Sequence, residues 1–100
     1  MNILLVCAAG MSTSLLVASM RKFADEGTKI EAVAFSQLDS VVKEYDVILV
    51  GPQLRYKLKD IQKIGDANNI PVDVIDALSY GRMDGQRTVE FAKKLYSENK

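Results

Sequence analysis

Histidine is absent from this 100-residue chain, and cysteine occurs once. The missing histidine excludes nucleophiles that depend on a histidine base, histidine metal sites and phosphohistidine chemistry on the chain itself. The single cysteine excludes an internal disulfide, a CxxC redox centre and a cysteine-rich metal site. Any nucleophile must therefore be activated by the backbone and its charge environment, and we expect neither a metal nor a cofactor.

The chain also lacks an excess of charge and a long apolar run. Thirteen basic residues balance thirteen acidic ones, so no overall field attracts nucleic acid or a membrane. The apolar run 3–6 is too short for a signal-peptide core, and no later run approaches a membrane span. We expect a cytoplasmic protein with one compact domain over residues 1–100. The basic clusters are interpreted as solvated helix faces: Arg55, Lys57, Lys59 and Lys63, and the pair Lys93-Lys94.

Strand-like and helix-like segments alternate along the chain. The predicted strands are 2–7, 30–35, 47–50 and 72–75. The first and third are apolar throughout after Asn2, whereas Glu31 and Asp73 interrupt the other two. Only strands buried on both faces need continuous apolar residues, and charged strands suit sheet edges. We therefore predict an α/β fold with a parallel sheet of order 2-1-3-4 and helices on both faces. Its switch point lies between strands one and three, where ligands bind beyond the strand ends.

Apolar spacing predicts the helices between these strands. The first helix should end near Gly27, and its inward face is predicted to hold Leu16, Met20 and Phe23. The second should begin at a capping box of Ser36 and Asp39. Its apolar positions are Leu38, Val41, Val42 and Tyr45.

The third helix is predicted to run from about Tyr56 to Asn69, with Leu58, Ile61 and Ile64 inward. A loop containing Tyr80-Gly81 and Asp84-Gly85 should follow the fourth strand. The last helix has two alternative inward faces, which are Val89, Ala92 and Tyr96, or Thr88, Phe91 and Leu95.

The segment after the first strand carries the chemistry, and it reads Cys7-Ala8-Ala9-Gly10-Met11-Ser12-Thr13-Ser14. Its small side chains let successive amide groups face inward as an anion-binding nest before a helix N-terminus. The three hydroxyl residues add donors and helix caps. This environment favours the thiolate of Cys7, which can attack phosphorus and leave a phosphoryl group in the nest. The alternative is that Cys7 is a small buried hydrophobe at the end of a core strand.

Two further loops are predicted at the same end of the sheet. Gln53 is a candidate hydrogen-bond donor to a phosphoryl oxygen, and Arg55 is a candidate contact for a charged partner, although both residues also suit a turn and a helix start. Tyr80 and Met83 either form an exposed apolar patch for docking or pack against the last helix.

Three motifs in register carry a resemblance to a known family. They are the Cys7–Ser14 segment after an apolar strand, Gly51-Pro52-Gln53-Leu54-Arg55-Tyr56, and Tyr80-Gly81-Arg82-Met83-Asp84-Gly85. Across essentially the whole chain, the sequence resembles the IIB components of the bacterial phosphoenolpyruvate-dependent sugar phosphotransferase system, in the lactose/cellobiose/chitobiose group.

The resemblance implies a phosphotransferase that acts through a phosphocysteine. Cys7 would accept a phosphoryl group from phosphohistidine on the IIA component and pass it to a β-linked sugar in the membrane IIC component. The resemblance also implies that Ala8, Ala9, Gly10, Met11, Ser12, Thr13 and Ser14 surround the phosphoryl group. Gln53, Arg55, Tyr80 and Met83 remain candidates for the partner surface. We expect a monomer, because one exposed face must serve two partners in turn.

The nearest rival is a low-molecular-weight tyrosine phosphatase or a related arsenate reductase, which places a cysteine loop in a similar sheet. These enzymes require Cys-x5-Arg, whose arginine binds phosphate with two hydrogen bonds. Position 13 holds Thr13, so this arginine is missing. Asp76 and Asp84 are available as the general acid, but nothing in the sequence assigns that role to either of them. A response-regulator receiver is a second rival. It needs acidic residues where this chain has Cys7 and Gly51-Pro52, so the carrier is favoured over both.

Overall fold

The computed structural model describes residues 1–7 and 13–98. Four strands alternate with helices, and they are β1 (Ile3–Cys7), β2 (Ile30–Ala34), β3 (Val47–Val50) and β4 (Val72–Val74). The helices are α1 (Thr13–Phe23), α2 (Leu38–Val41), α3 (Leu58–Ala67), α4 (Ala77–Gly81) and α5 (Gly85–Glu98). Each predicted strand is present, with its ends within one residue of the prediction.

All strand pairs are parallel, and the order is β2-β1-β3-β4, as predicted. Ile3 pairs in register with Ile30 on one side and Val47 on the other. Every residue of β1 and β3 is buried, whereas β2 and β4 are mostly half-buried. The apolar character of each strand therefore follows its place in the sheet.

Alternate residues of the central strands point to opposite faces of the sheet and build two separate cores. The first core contains Ile3 and Leu5 and is covered by α1 and α5. The second core contains Leu4 and Val6 and is covered by α3 and the segment around α2. Helices on both faces of a parallel sheet were predicted, and the two cores confirm them.

The first helix is shorter than predicted, because α1 ends at Phe23 and not near Gly27. Gly27 lies in the following turn with φ of +88°, which suits glycine. Leu16 and Met20 are fully buried as predicted, but Phe23 is 49% exposed. The prediction for Phe23 was wrong because the helix ends there, and Ala24 packs against the first core instead.

The predicted capping box at Ser36 and Asp39 is also wrong. A 3₁₀ turn (Phe35–Gln37) contains Ser36, and no side chain caps this turn or α2. The carboxylate of aspartate is one methylene shorter than the glutamate that a capping box uses. The apolar spacing was read correctly, because Leu38, Val42 and Tyr45 are buried.

The remaining helices differ from the prediction mainly at their starts. A 3₁₀ segment, Pro52–Lys57, precedes α3. Residues 77–81, predicted as loop, form the short helix α4, which Asp76 caps. Both proposed faces of α5 contact the first core, with Thr88, Val89 and Ala92 buried and Phe91, Leu95 and Tyr96 half-buried. No helix within residues 1–7 and 13–98 is both long and apolar enough to cross a bilayer.

Candidate active site

Cys7 is the last residue of β1, at the carboxyl end of a central strand. It pairs in register with Ala34 of β2 on one side. On the other side, Gly51 donates its N–H to the carbonyl of Val6 at 2.9 Å. The crossover connections leave in opposite directions between β1 and β3, so Cys7 lies at the switch point of the sheet, as predicted.

The thiol of Cys7 is 2% exposed. Its Sγ donates a long, weak hydrogen bond to the carbonyl of Val33 at 3.8 Å. This contact satisfies a thiol but supplies nothing that would favour a thiolate. Any stabilisation of the charged sulfur must therefore come from other groups near the strand end.

The predicted anion nest lies largely outside the described residues, since Ala8, Ala9, Gly10, Met11 and Ser12 fall between positions 7 and 13. Helix α1 begins at Thr13, and Ser14 is exposed in its first turn. A helix therefore starts at the end of the Cys7–Ser14 segment, as the sequence predicts. The nest itself stays a prediction.

Gly51 is the point where two of the predicted partner-surface residues meet β1. A Cβ added to Gly51 would lie 3.1 Å from Oε1 of Gln53 and 3.8 Å from Cε2 of Tyr80. The same position is 3.5 Å from the carbonyl oxygen of Val6, the residue before Cys7. The amide of Gln53 and the ring of Tyr80 therefore approach the strand end next to the cysteine.

Tyr80 and Met83 do not form an exposed patch. Tyr80 is only 8% exposed and belongs to the first core, and Met83 is half-buried against the same core. The alternative of packing is therefore the correct one, and the prediction of an apolar docking patch at these residues was wrong. A short helix places Tyr80 inward and leaves Leu78 on its outer side, 48% exposed.

Gln53 and Arg55 are exposed on the Pro52–Lys57 segment after β3. Tyr56, beside Arg55, is 74% exposed, and Leu15 in the first turn of α1 is 65% exposed. Together with Leu78, these side chains follow β1, β3 and β4, so they lie at the carboxyl end of the sheet. The exposure of Leu15, Tyr56 and Leu78 was not predicted, although the adjacent Leu15 and Leu16 cannot both face the core from one amphipathic helix.

The two acids considered for a hydrolase are helix caps. Asp76 accepts hydrogen bonds from the backbone N–H of Ser79 at 2.9 Å and from its hydroxyl at 2.7 Å. These bonds hold the pKa of Asp76 below its ordinary value, and the bond from the backbone N–H of Ser79 has the larger effect. Asp84 accepts from the backbone N–H of Arg87 at 3.0 Å. Both carboxylates therefore have structural roles that account for their positions.

A cleft of about 400 Å³ lies elsewhere. Tyr45, Asp46, Ile70 and Pro71 line it, and these residues precede β3 and β4. The cleft is therefore at the amino end of the sheet, opposite Cys7. Cys7, the candidate nucleophile, lies at the switch point of the sheet, so the strand end beside it is the candidate active site.

The chain is similar to known proteins over most of its length. The sequence model of the family described as the lactose/cellobiose-specific IIB subunit of the PTS system matches residues 2–91. The oligo-beta-mannoside-specific EIIB component of Bacillus subtilis is 41% identical over 97 residues, and the alignment covers 94% of each chain. The lactose-specific EIICB component of Staphylococcus epidermidis is 27% identical, and the match covers 96% of this chain but 17% of that protein.

A solved structure shows the same fold. The solution structure of the cellobiose-specific phosphotransferase IIB component from Borrelia burgdorferi superposes with a TM-score of 0.80 at 39% identity. The superposition covers 99% of this chain and 94% of that one. The chain thus belongs to the lactose/cellobiose-specific IIB family of the sugar phosphotransferase system, and its role is phosphoryl transfer in sugar uptake.

Proposed function

We propose that the chain carries a phosphoryl group on Cys7, between phosphohistidine of the IIA component and a sugar bound by the membrane IIC component. The observation that carries this proposal is the position of the only cysteine at the switch point of the sheet. The chain has no histidine, so a phosphohistidine intermediate on this subunit is excluded. The segment from Ala8 to Ser14 is the proposed cradle of the phosphoryl oxygens.

The transfer consists of two displacements at phosphorus. In the first, the thiolate of Cys7 attacks, an S–P bond forms and the N–P bond of the donor breaks. The imidazole of the donor already carries a proton on its other ring nitrogen, so it leaves as the neutral ring. In the second, a sugar hydroxyl attacks, an O–P bond forms, the S–P bond breaks and the hydroxyl proton is released. Positioning and charge stabilisation supply most of the catalysis in such transfers.

The proposed acceptor side is the IIC transporter. Support comes from the Staphylococcus relative, whose name joins the IIC and IIB components in one chain. The chain would therefore act at the inner face of the membrane. The names of the relatives specify oligo-beta-mannoside, cellobiose and lactose, and we propose a β-linked disaccharide or oligosaccharide as the sugar.

The phosphatase alternative gains no support from the described residues. A hydrolase needs an acid for the leaving group, and the two acids considered for that role, Asp76 and Asp84, serve as helix caps. The arginine that would bind phosphate at position 13 is replaced by Thr13.

The proposal is tested by following the phosphoryl group. Wild type, Cys7→Ser and Cys7→Ala are incubated with phosphorylated IIA, and the modified residue is located by mass spectrometry of peptides kept at neutral pH. We expect label on Cys7 in the wild type and none in Cys7→Ala. Thermal unfolding of both variants shows whether the fold is retained.

Two results would overturn the relay. One is label that remains in Cys7→Ala, and the other is a wild type that never accepts phosphate from the donor. Rapid release of inorganic phosphate from an aryl phosphate would favour the phosphatase instead.

A further inference from the structure

The outer edge of β2 is the longer of the two edges of the sheet. β2 pairs with β1 on one side only. The carbonyl of Lys29 accepts from the N–H of Ile3 at 2.8 Å, and the backbone groups of successive residues in a strand point alternately to its two sides. The N–H and C=O groups of Ile30, Ala32 and Ala34 therefore point away from β1. Such a row of backbone groups is a template on which another strand can add.

One group in this row is bonded to a side chain from another element. Nη2 of Arg21, in the last turn of α1, donates a hydrogen bond to the carbonyl of Ile30 at 2.7 Å. The same nitrogen lies 3.3 Å from Oε2 of Glu31. A charged donor at this short distance makes the stronger kind of hydrogen bond. The guanidinium thus occupies an acceptor that an added strand would need.

The side chain of Arg21 crosses the edge from one face of the sheet to the other. Arg21 belongs to α1, which covers the first core, and Ile30 belongs to that core. Glu31 pairs in register with Leu4 of the second core, so its side chain lies on the opposite face. The guanidinium therefore bonds the carbonyl at the edge and also contacts a carboxylate from the far face. An incoming strand would meet this side chain across its path.

The other edge of the sheet shows a similar arrangement. β4 has only three residues, and Ile75, directly after it, donates its N–H to the carbonyl of Val50 at 2.8 Å. The N–H of Val74 therefore points outward, and Oδ1 of Asp73 accepts from it at 2.7 Å. Each edge strand thus has an outward backbone group bonded to a charged side chain. Charged side chains and short strands are devices by which soluble proteins prevent edge-to-edge pairing.

The middle of the β2 edge stays open. The N–H and C=O of Ala32 have no hydrogen-bond partner among residues 1–7 and 13–98. A second copy of β2 fits this stretch, because antiparallel pairing about a two-fold axis at Ala32 would join the Ala32 residues of both copies by two bonds. The N–H of Ala34 in one copy would then face the carbonyl of Ile30 in the other. That carbonyl is the one that Arg21 occupies.

We propose that Arg21 closes the edge of β2 against a second copy of the chain and so keeps the protein monomeric. Both side chains of the Arg21–Glu31 pair are about half exposed, so the pair contributes little to folding stability, and the main effect of Arg21 is on association. Cys7 pairs in register with Ala34. A second copy along β2 would therefore stand beside the end of the sheet that holds the cysteine. The inference does not depend on the role of Cys7.

Three variants separate the edge contact from a change of charge. Arg21→Ala removes the guanidinium. Lys22→Ala is the matched control, because Lys22 is the next residue of α1, is exposed and forms no ion pair with the described residues. The double variant Arg21→Ala/Ala32→Pro also removes the N–H of Ala32, at a position where an edge strand tolerates proline.

Sedimentation velocity over a dilution series measures self-association of each protein. We expect Arg21→Ala to associate at least about tenfold more strongly than wild type, since neither copy then gives up a charged hydrogen bond on pairing. Lys22→Ala and the double variant should match the wild type. Equal association of Arg21→Ala and wild type would overturn the proposal. Association that persists with the proline, or that appears equally in Lys22→Ala, would overturn it as well.

Hydrogen exchange locates the contact. The N–H of Ala32 should exchange fast in the wild type at every concentration, and in Arg21→Ala its exchange should slow as the concentration rises. The N–H of Glu31, which faces β1, should change little. Exchange at Ala32 that does not depend on concentration in an associating Arg21→Ala would refute pairing at this edge. Arg21→Met keeps the aliphatic stem without the donor, and it repeats both measurements if thermal unfolding shows that Arg21→Ala is not folded.

Discussion

Asp76 shows how one side chain fixes the start of a helix near the active site. Its two carboxylate oxygens accept from the backbone N–H and the hydroxyl of Ser79. Because the charged carboxylate is the better acceptor, these bonds lower the pKa of Asp76. The group is largely exposed, so solvent screens much of this effect. The cap nevertheless holds α4, which carries Tyr80 to the first core.

Replacing Asp76 tests this cap. Asp76→Ala should lower the free energy of unfolding at pH 7 by about 1 kcal/mol, the usual worth of an N-cap. Asp76→Asn should lose less, because its amide oxygen still accepts from Ser79. Urea unfolding followed by circular dichroism measures both, with the exposed Asp66→Ala as a control that changes stability little. An unchanged Asp76→Ala would show that the cap contributes nothing.

The same cap predicts a pH dependence. A carboxyl whose pKa is lowered by folding contributes stability above its unfolded value and loses it as the pH falls through the folded value. The difference between wild type and Asp76→Asn should therefore be constant near neutral pH. It should shrink as the pH approaches the ordinary aspartate value of 3.8 and decrease further below it. A difference that grows on acidification would contradict the assigned direction.

At the scale of elements, α1 and α5 approach each other closely. Gly85, the first residue of α5, donates its N–H to Oγ of Ser19 at 3.0 Å. A Cβ on Gly85 would collide with the backbone of Ser19 and Met20. The absence of a side chain therefore lets the start of α5 approach the middle of α1, which begins directly after the cysteine segment.

Gly85→Ala should accordingly lower the free energy of unfolding by about 1–3 kcal/mol, the range for overpacking a close contact. The collision is with backbone, so no rotamer change relieves it. Gly81→Ala is the matched control, because a Cβ at Gly81 meets no atom within 4 Å. Its stability should stay within about 0.5 kcal/mol of wild type. Equal midpoints for the two variants in urea would refute the close approach.

This contact also shows what the sequence could not predict. Asp84-Gly85 has the composition of a turn, and nothing local to it indicates a neighbour 66 positions away. The prediction that Tyr80 is exposed was wrong for a related reason. Its burial depends on a five-residue helix, which is too short to show an apolar period in the sequence. The strands were predictable because burial on both faces of a parallel sheet leaves a continuous apolar run in the chain.

The candidate active site was likewise predictable only in part from the sequence. Cys7 and Gly51 were predictable, because they end the two central strands and the strand order follows from Glu31 and Asp73 at the edges. The approach of Gln53 and Tyr80 to Gly51 was not. Tyr80 reaches Gly51 from the short helix α4, which the composition of that segment does not reveal.

Across the whole molecule, the sheet separates two cores that have no side chain in common among residues 1–7 and 13–98. Ile75 belongs to the first core and Ile61 to the second, and both are buried. Mutations in distant sites without shared partners are usually additive. The two cores should therefore behave as independent contributions to one cooperative unfolding transition.

Ile75→Val and Ile61→Val test this independence. Each should cost about 0.5–1.5 kcal/mol, and the double variant should cost their sum to within about 0.5 kcal/mol. Urea unfolding of the four proteins completes the cycle, and conservative changes keep the double variant folded. A coupling above about 1 kcal/mol would mean that strain passes through the sheet from one core to the other.

The central position of β1 has a consequence during synthesis on the ribosome. Ile3 pairs with Ile30 and Val47, so this apolar strand is synthesised before both of its neighbours and remains unpaired until they emerge. At about 5–20 residues per second, the wait for β3 lasts a few seconds, far longer than a small domain needs to collapse. Translation speed, more than intrinsic folding speed, then decides how long the apolar strand that ends in Cys7 is exposed to other chains.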